Sequence, residues 1–222
     1  MCKMIVMMLA AIAILPLITD AASDGPDALS AKKLNVSRPI FSQLVVHGIP
    51  KGWKTGFEKT MPARYIQEFV PATESVESWS EMITVQGLKD MSQNPNMTPK
   101  ALLSMVAGGI KKTCGESFIG QAVGEHTVDS YEAYSAIIGC GNMPANRPTG
   151  IKQGQGEVAL YVAIKGTRDI YVIQRAVRTN AFDPARSPIT VPRIAELIRD
   201  VQPIKICDLN VSQFTCWDRA PR

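Results

Sequence analysis

A run of β-branched and aromatic side chains over residues 157–165, and a second run over residues 169–178, predict two adjacent β-strands. Gly166-Thr167-Arg168 between them supplies the turn residues that a hairpin needs. Successive side chains of a strand point to opposite faces, and here both faces are mostly apolar. We therefore expect this hairpin to lie in the middle of a sheet, with other elements packed on each side.

Four more segments have the two-residue period of strands, namely residues 64–70, 81–88, 118–128 and 131–140. Between the first two, Glu74, Glu77 and Glu81 recur at helical spacing, and Thr73 is suited to cap a helix. This spacing predicts one or two helical turns over residues 73–80.

Two longer helices are predicted from apolar stripes and capping residues. Thr98 and Pro99 are typical of a helix start, and Gly115 is typical of its end. A second stripe over residues 191–201 is closed by Pro203.

Runs of strands separated by isolated helices predict an α+β fold, with a mainly antiparallel sheet flanked by helices in a single domain over residues 40–206. This order, together with Ile49-Pro50 and Gly52-Trp53 before the first long strand, resembles the PsbP-like fold, which includes the DcrB-like envelope proteins of bacteria. The resemblance implies an α/β/α sandwich and a non-enzymatic role in the cell envelope.

The N-terminal residues are typical of a secretory signal peptide. One early lysine, an apolar stretch and small residues at its end predict a signal over residues 1–21, with cleavage after Ala21. An uncleaved anchor is the alternative, which Pro16 and the short apolar stretch disfavour. No cysteine lies directly after the stretch, at the cleavage site, so a lipoprotein is not indicated. Residues 22–39 are polar, with Gly and Pro, and are expected to form a flexible leader.

Four cysteines follow the predicted signal, an even number in a protein expected in an oxidising compartment. Of the three possible pairings we favour Cys114 with Cys140 and Cys207 with Cys216; the second would close a small loop in the tail, residues 207–222. A zinc site is the competing interpretation, but C-x-x-C spacing does not occur.

The charge pattern does not favour nucleic acid as a partner. The chain has 24 Lys and Arg against 20 Asp and Glu, a formal net charge of +4, and the basic residues are spread along it. Arg175, Arg178 and Arg193 are therefore interpreted as solvated surface residues, and attachment to a membrane surface is not indicated.

Catalytic and metal motifs are weak. His126, Asp129 and Ser130 have the residue types of a hydrolase triad, but residues so close together on a strand do not converge. A secreted hydrolase using His126 with a distant acid, and a metal carrier using His47 with His126, remain alternative functions. No cofactor is predicted.

The favoured function is that of an exported, soluble binding or accessory protein of the bacterial cell envelope, periplasmic or secreted, with an unidentified envelope or secreted protein as partner. Long loops on a rigid scaffold often carry binding, which indicates the loop over residues 141–154, with Asn142 and Arg147. The segment around Trp79 is the second candidate, with the further binding residues Glu74, Glu77 and Trp53. Together with Phe69, the two tryptophans would form an aromatic patch at one end of the sheet.

Overall fold

The computed structural model describes residues 33–144, 150–210, 212, 215 and 216. Within them, strands β1 Lys33–Ile40, β2 Gln43–Pro50 and β10 Lys205–Asp208 form one sheet in the order β1-β2-β10. The helices are α1 Pro99–Cys114 and α2 Val191–Val201. The larger sheet consists of β3 Trp53–Thr60, β4 Arg64–Pro71, β5 Glu81–Leu88, β6 Phe118–Val128, β7 Tyr131–Cys140, β8 Gln155–Lys165 and β9 Ile170–Asn180.

All strand pairs are antiparallel, and the larger sheet has the order β3-β4-β5-β9-β8-β7-β6. The prediction of an α+β fold with a mainly antiparallel sheet is therefore confirmed. In the described residues, no helix is both long and apolar enough to cross a membrane.

The central hairpin is confirmed as β8 and β9, in the middle of the larger sheet. The Gly166 N–H donates to the Asp169 carbonyl across the turn at 2.9 Å. Tyr161 and Tyr171, which point to opposite faces, are 8% and 0% exposed. Both faces of the hairpin are thus covered, as its apolar pattern predicted.

Helix α1 packs on β6, β7 and β8 on one face of the larger sheet, called here the outer face. The Thr98 hydroxyl accepts the Ala101 N–H at 3.1 Å, which caps the helix as predicted. Gly115 ends it with φ 56°, a conformation that favours glycine. Leu102 and Leu103 are the buried contacts of the helix with the outer face.

The opposite, inner face packs against α2 and the smaller sheet together. Leu197 of α2 and Ile206 of β10 are both 0% exposed and belong to one core with Phe69 of β4. A helix thus lies on each face of the larger sheet, as the predicted α/β/α arrangement requires, and the smaller sheet shares the inner layer with α2. Strand β1 also begins at Lys33, so residues 33–39 are part of the folded domain and not of a flexible leader.

Both favoured disulfides are present. Cys114 at the end of α1 is joined to Cys140 at the end of β7, with the Cα atoms 5.7 Å apart. Cys207 of β10 is joined to Cys216, with the Cα atoms 6.0 Å apart. The first link holds the C-terminal end of α1 on the sheet.

Residues 73–80 are not helical, which corrects the prediction of one or two helical turns. Ser75 and Ser78 form a single β-bridge within a tight loop. The Glu74 carboxylate accepts the Ser80 N–H at 2.7 Å and the Ser80 hydroxyl at 2.7 Å. A segment this short gains little from helix formation alone, so these local bonds determine its shape.

Arg175 of β9 is buried, which corrects its interpretation as a solvated residue. Its side chain is 2% exposed and donates to Glu81 at 2.6 Å and to Asp200 of α2 at 3.0 Å. Arg193 of α2 also donates to Glu81 at 2.6 Å. Burial of a cation requires such pairing, and here the pairing attaches α2 to the sheet.

Asp169 joins three turns at one end of the sheet. Its carboxylate accepts the Ser42 N–H at 3.0 Å and hydroxyl at 2.5 Å, the Asp90 N–H at 2.7 Å and the Tyr171 hydroxyl at 3.3 Å. Burial opposes ionisation, but these hydrogen bonds outweigh it and hold the pKa of Asp169 below its usual value. The ionised side chain is therefore a structural anchor.

Candidate functional site

An open groove of about 650 Å³ lies on the outer face, mainly over β3, β4, β5 and β9. This volume falls in the range of about 300–1,000 Å³ that is common for ligand sites. Its apolar contacts are Phe57, Ile66, Val76, Trp79 and Met82. Its polar contacts are Arg64, Glu68, Glu77, Thr84, Gln86, Glu157, Gln174 and Arg178. We call this surface the outer-face groove.

One wall of the outer-face groove is the loop over residues 72–80, held in place by Trp79. The indole is 9% exposed, and the Arg178 guanidinium carbon lies 3.5 Å from its ring centroid. Arg178 also pairs with Glu157 at 3.3 Å. Because Arg178 is 8% exposed and is held between Trp79 and Glu157, this wall is rigid. The interpretation of Arg178 as a solvated surface residue is therefore wrong.

The floor of the groove is a row of side chains in register across the sheet. Phe57 pairs with Glu68, Glu68 with Thr84, Thr84 with Gln174, and Gln174 with Tyr161. Within the described part of the chain, the side chains of Glu68, Thr84 and Gln174 make no hydrogen bond. None of their polar atoms is buried without a partner, so these atoms reach the groove and are open to the polar groups of a ligand.

Electrostatically, Glu68 differs from the other charged groups of the groove. Burial raises the pKa of its carboxyl group, and the nearby Arg64 guanidinium offsets only part of that effect. Arg64 itself donates to Gln86 at 2.6 Å. A second positive charge close to Glu68 would favour the ionised carboxylate.

A second open pocket, also of about 650 Å³, is lined by the same loop and shares Trp79 and Arg178 with the groove. Its other contacts are mostly hydroxyl and charged groups, including Lys54 and Glu74. Since the Glu74 carboxylate is bonded to Ser80, it is part of the loop structure.

The predicted binding residues fall in different places. Trp79 and Glu77 line the groove, and Glu74 lines the second pocket. Asn142 is exposed and lines neither, and Arg147 lies outside the described residues.

The predicted aromatic patch is corrected. Trp53 packs on the inner face, where the Arg175 guanidinium carbon lies 4.8 Å from its ring centroid. Phe69 belongs to the same inner core, whereas Trp79 belongs to the core beneath α1 on the outer face. The sheet therefore separates the two tryptophans.

The two loops predicted to bind do meet. A side chain at Gly150, which has φ +73°, would overlap the backbone carbonyl of Glu77. The loop around Trp79 and the end of the loop over residues 141–154 are thus in backbone contact, which the sequence pattern did not show.

The hydrolase alternative lacks an acid partner for its histidine. His126 is exposed on edge strand β6, and its Nδ1 lies 3.4 Å from the Gly124 carbonyl. Among the described residues, no hydrogen bond joins it to a carboxylate. The Asp129 carboxylate instead accepts the Ile206 N–H at 2.9 Å. The geometry therefore does not assemble the triad that the chemistry needs.

The metal-carrier alternative needs His47 and His126 to converge, and they do not. His47 is 2% exposed and packs edge-on against Phe69 of β4, with ring centroids 5.3 Å apart. Four strands separate β4 from β6, which carries His126. In the described residues, no three His, Cys, Asp or Glu side chains are grouped to hold a metal ion.

Comparison with known proteins identifies no family. No family model matches the chain, and no curated protein matches it in sequence. Similar solved structures include LpqN of Mycobacterium tuberculosis, described as involved in cell envelope biogenesis, with 15% identity and a TM-score of 0.42 over 82% of this chain and 95% of that one.

The Ran-binding protein Mog1p of Saccharomyces cerevisiae has 14% identity and a TM-score of 0.43, over 76% of this chain and 95% of that one. A mutant of Mog1 has 15% identity and a TM-score of 0.45, over 79% of this chain and 97% of that one. Likeness at this level supports no conclusion about function, and the PsbP-like resemblance remains a prediction.

Proposed function

We propose that this chain is a non-catalytic binding protein that holds a partner in the outer-face groove. The observation that carries the proposal is the floor of the groove, where Glu68, Thr84 and Gln174 make no hydrogen bond within the described residues. Apolar side chains border this row, among them Phe57, which is 39% exposed. Apolar contact area around a few convergent polar groups is the usual composition of a binding site.

The site differs from the predicted one in its centre. The loops were expected to bind by themselves, whereas the proposed site uses the loop of Trp79 as a wall and strands β3, β4, β5 and β9 as the floor. A site on strands is held more precisely than one on loops, which suits recognition by fixed polar groups.

The proposed setting is the bacterial cell envelope, with the chain exported as a periplasmic or secreted protein and the partner another envelope or secreted protein. Two disulfides within the described residues support this setting, because disulfides persist in oxidising compartments. The apolar N-terminal stretch supports it from the sequence.

Site-specific photo-crosslinking tests the proposed function. A photoreactive phenylalanine analogue replaces Phe57 in the groove or, as the matched control, Met105, which is 62% exposed on α1. In the cells that produce the protein, we expect an adduct of one discrete mass from position 57 only. The substitution Ile66→Arg, which fills the groove, should remove that adduct while circular dichroism shows an unchanged fold. Equal adducts from both positions, or an adduct that survives Ile66→Arg, would contradict the proposal.

A further inference from the structure

Glu68 is the charged member of a polar row whose other members are neutral. Thr84 and Gln174 lie beside it on the next two strands, and each of their side chains can donate and accept hydrogen bonds. Adjacent strands are about 4.8 Å apart, so the row from Glu68 to Gln174 spans roughly 10 Å. That length matches about three residues of an extended polypeptide.

Both arginines of the groove are already engaged. Arg178 pairs with Glu157 and covers Trp79, and Arg64 donates to Gln86. Arg64 lies on the same face of β4 as Glu68 and acts on its carboxyl group through space, but within the described residues no hydrogen bond joins the two side chains. Within the described residues, the Glu68 side chain is thus a carboxylate that makes no hydrogen bond.

The surroundings of Glu68 suit a long cationic side chain. Phe57 is its cross-strand neighbour on β3, and Ile66 is the next residue on the same face of β4. Lysine and arginine place their aliphatic stems on such apolar surface while the charged end reaches a polar group. A carboxylate partly removed from water gains more from a cation than a fully exposed one does.

We infer that the outer-face groove binds an extended protein segment through a lysine or arginine side chain that pairs with Glu68, while Thr84 and Gln174 bond to the peptide groups of the segment. This inference rests on the proposed function and specifies the chemistry of the partner. It assigns a specificity role to strand residues and not to the loops.

Peptide binding with charge-matched probes tests the inference. The probes are fluorescein-labelled, end-capped peptides made of three repeats of Ser-Lys-Val, Ser-Gln-Val or Ser-Glu-Val, and fluorescence anisotropy reports their affinity. We expect the lysine peptide to bind on the order of tenfold or more tightly than the glutamate peptide, as a charge-assisted hydrogen bond implies. The backbone amide resonances of Thr84 and Gln174 should shift on its addition.

Variants then separate Glu68 from general electrostatic attraction. Glu68→Gln should weaken binding of the lysine peptide by about tenfold, and Thr84→Val by a few fold. Glu132→Gln on β7 removes the same charge at an exposed position away from the groove and should leave the affinity unchanged. Melting temperatures confirm that each variant is folded.

Equal affinity for the lysine and glutamate peptides, or equal weakening by Glu68→Gln and Glu132→Gln, would overturn the inference. If these results accompany groove-localised resonance shifts, the proposed function stands and only the cation preference fails. Absence of binding by every probe also overturns the inference, and the crosslinking result from position 57 then decides the proposed function separately.

Discussion

At the scale of single residues, the structure depends on a few polar side chains that are buried and paired. Asp169 is 1% exposed and Arg175 is 1% exposed. The sequence pattern showed both as polar residues at strand or turn positions and gave no sign of their burial. Their partners, Ser42 for one and Asp200 for the other, come from distant parts of the chain, so only the tertiary fold reveals these contacts.

Asp169→Asn tests the anchoring role of this carboxylate. An amide cannot accept all four hydrogen bonds, so we expect the free energy of unfolding at pH 7 to fall by about 2–3 kcal/mol. The folded-state pKa lies below the ordinary 3.8, so this stabilisation is complete above that pH and disappears as pH falls through the folded-state value. Urea unfolding at pH 7 and pH 3 measures both effects. A variant as stable as the wild type at pH 7 would contradict the role.

His47 predicts a separate acid sensitivity at higher pH. Burial lowers its pKa from 6.5 to about 4, against a smaller opposing effect of its hydrogen bond to the Gly48 carbonyl. At pH values between about 6.5 and 4, the unfolded state binds a proton on His47 that the folded state does not bind. The free energy of unfolding therefore decreases as the pH falls, by roughly 3 kcal/mol in total. In His47→Gln this dependence should be absent from urea unfolding measured between pH 7 and pH 4. His126→Gln is the matched control, and a wild-type slope in His47→Gln would refute the prediction.

At the scale of elements, the strands and helices with strong periodicity were predicted almost to the residue. Strands β6 and β7 were expected over residues 118–128 and 131–140 and occupy Phe118–Val128 and Tyr131–Cys140. Helix α2 was expected over residues 191–201 and occupies Val191–Val201. Strand β1 was missed because its pairing with β2, and not its own composition, makes it a strand.

The groove floor could not be predicted for the same reason. Glu68 and Thr84 are on neighbouring strands, but Gln174, which lies 90 residues after Thr84 in the chain, joins their row only because β9 pairs with β5. Even so, each of the three is a polar residue on an otherwise mostly apolar strand. The sequence therefore contained this signal, but it did not reveal the strand order that brings the three residues together.

Gly150 provides a test of how the two loops support the groove wall. Gly150→Ala places a Cβ against the Glu77 carbonyl and strains a backbone with φ +73°, so we expect a loss of at least 1 kcal/mol and displacement of Trp79. Gly154→Ala is the matched control, because φ is +79° there and nothing lies within 4 Å of the added Cβ. Urea unfolding and tryptophan fluorescence compare them. Identical behaviour of the two variants would show that the loop contact is unimportant.

At the scale of the whole molecule, the two disulfides and the proposed export belong together. Each link should stabilise the fold by about 2–4 kcal/mol in the chain-entropy model. Cys114–Cys140 spans 26 positions and Cys207–Cys216 spans 9, so the first is expected to contribute more.

Export makes a direct prediction about the mature chain. If the signal covers residues 1–21, the protein recovered outside the cytoplasm begins at Ala22 and contains both disulfides. Intact mass spectrometry with and without reduction, together with N-terminal sequencing, measures both properties. Recovery of the full-length chain with free thiols, in the cytoplasm alone, would contradict the proposed export.

Helix α1 lies on β6, β7 and β8 and is linked covalently to the end of β7, whereas the floor of the outer-face groove is formed by β3, β4, β5 and β9 of the same sheet. Packing against the helix and the proposed recognition therefore use mostly different strands of one surface. A protein engineer could randomise positions 66, 68 and 84 to create new specificities while leaving the contacts beneath α1 intact. Natural drift in the same positions would let related chains change partners without having to rebuild their fold.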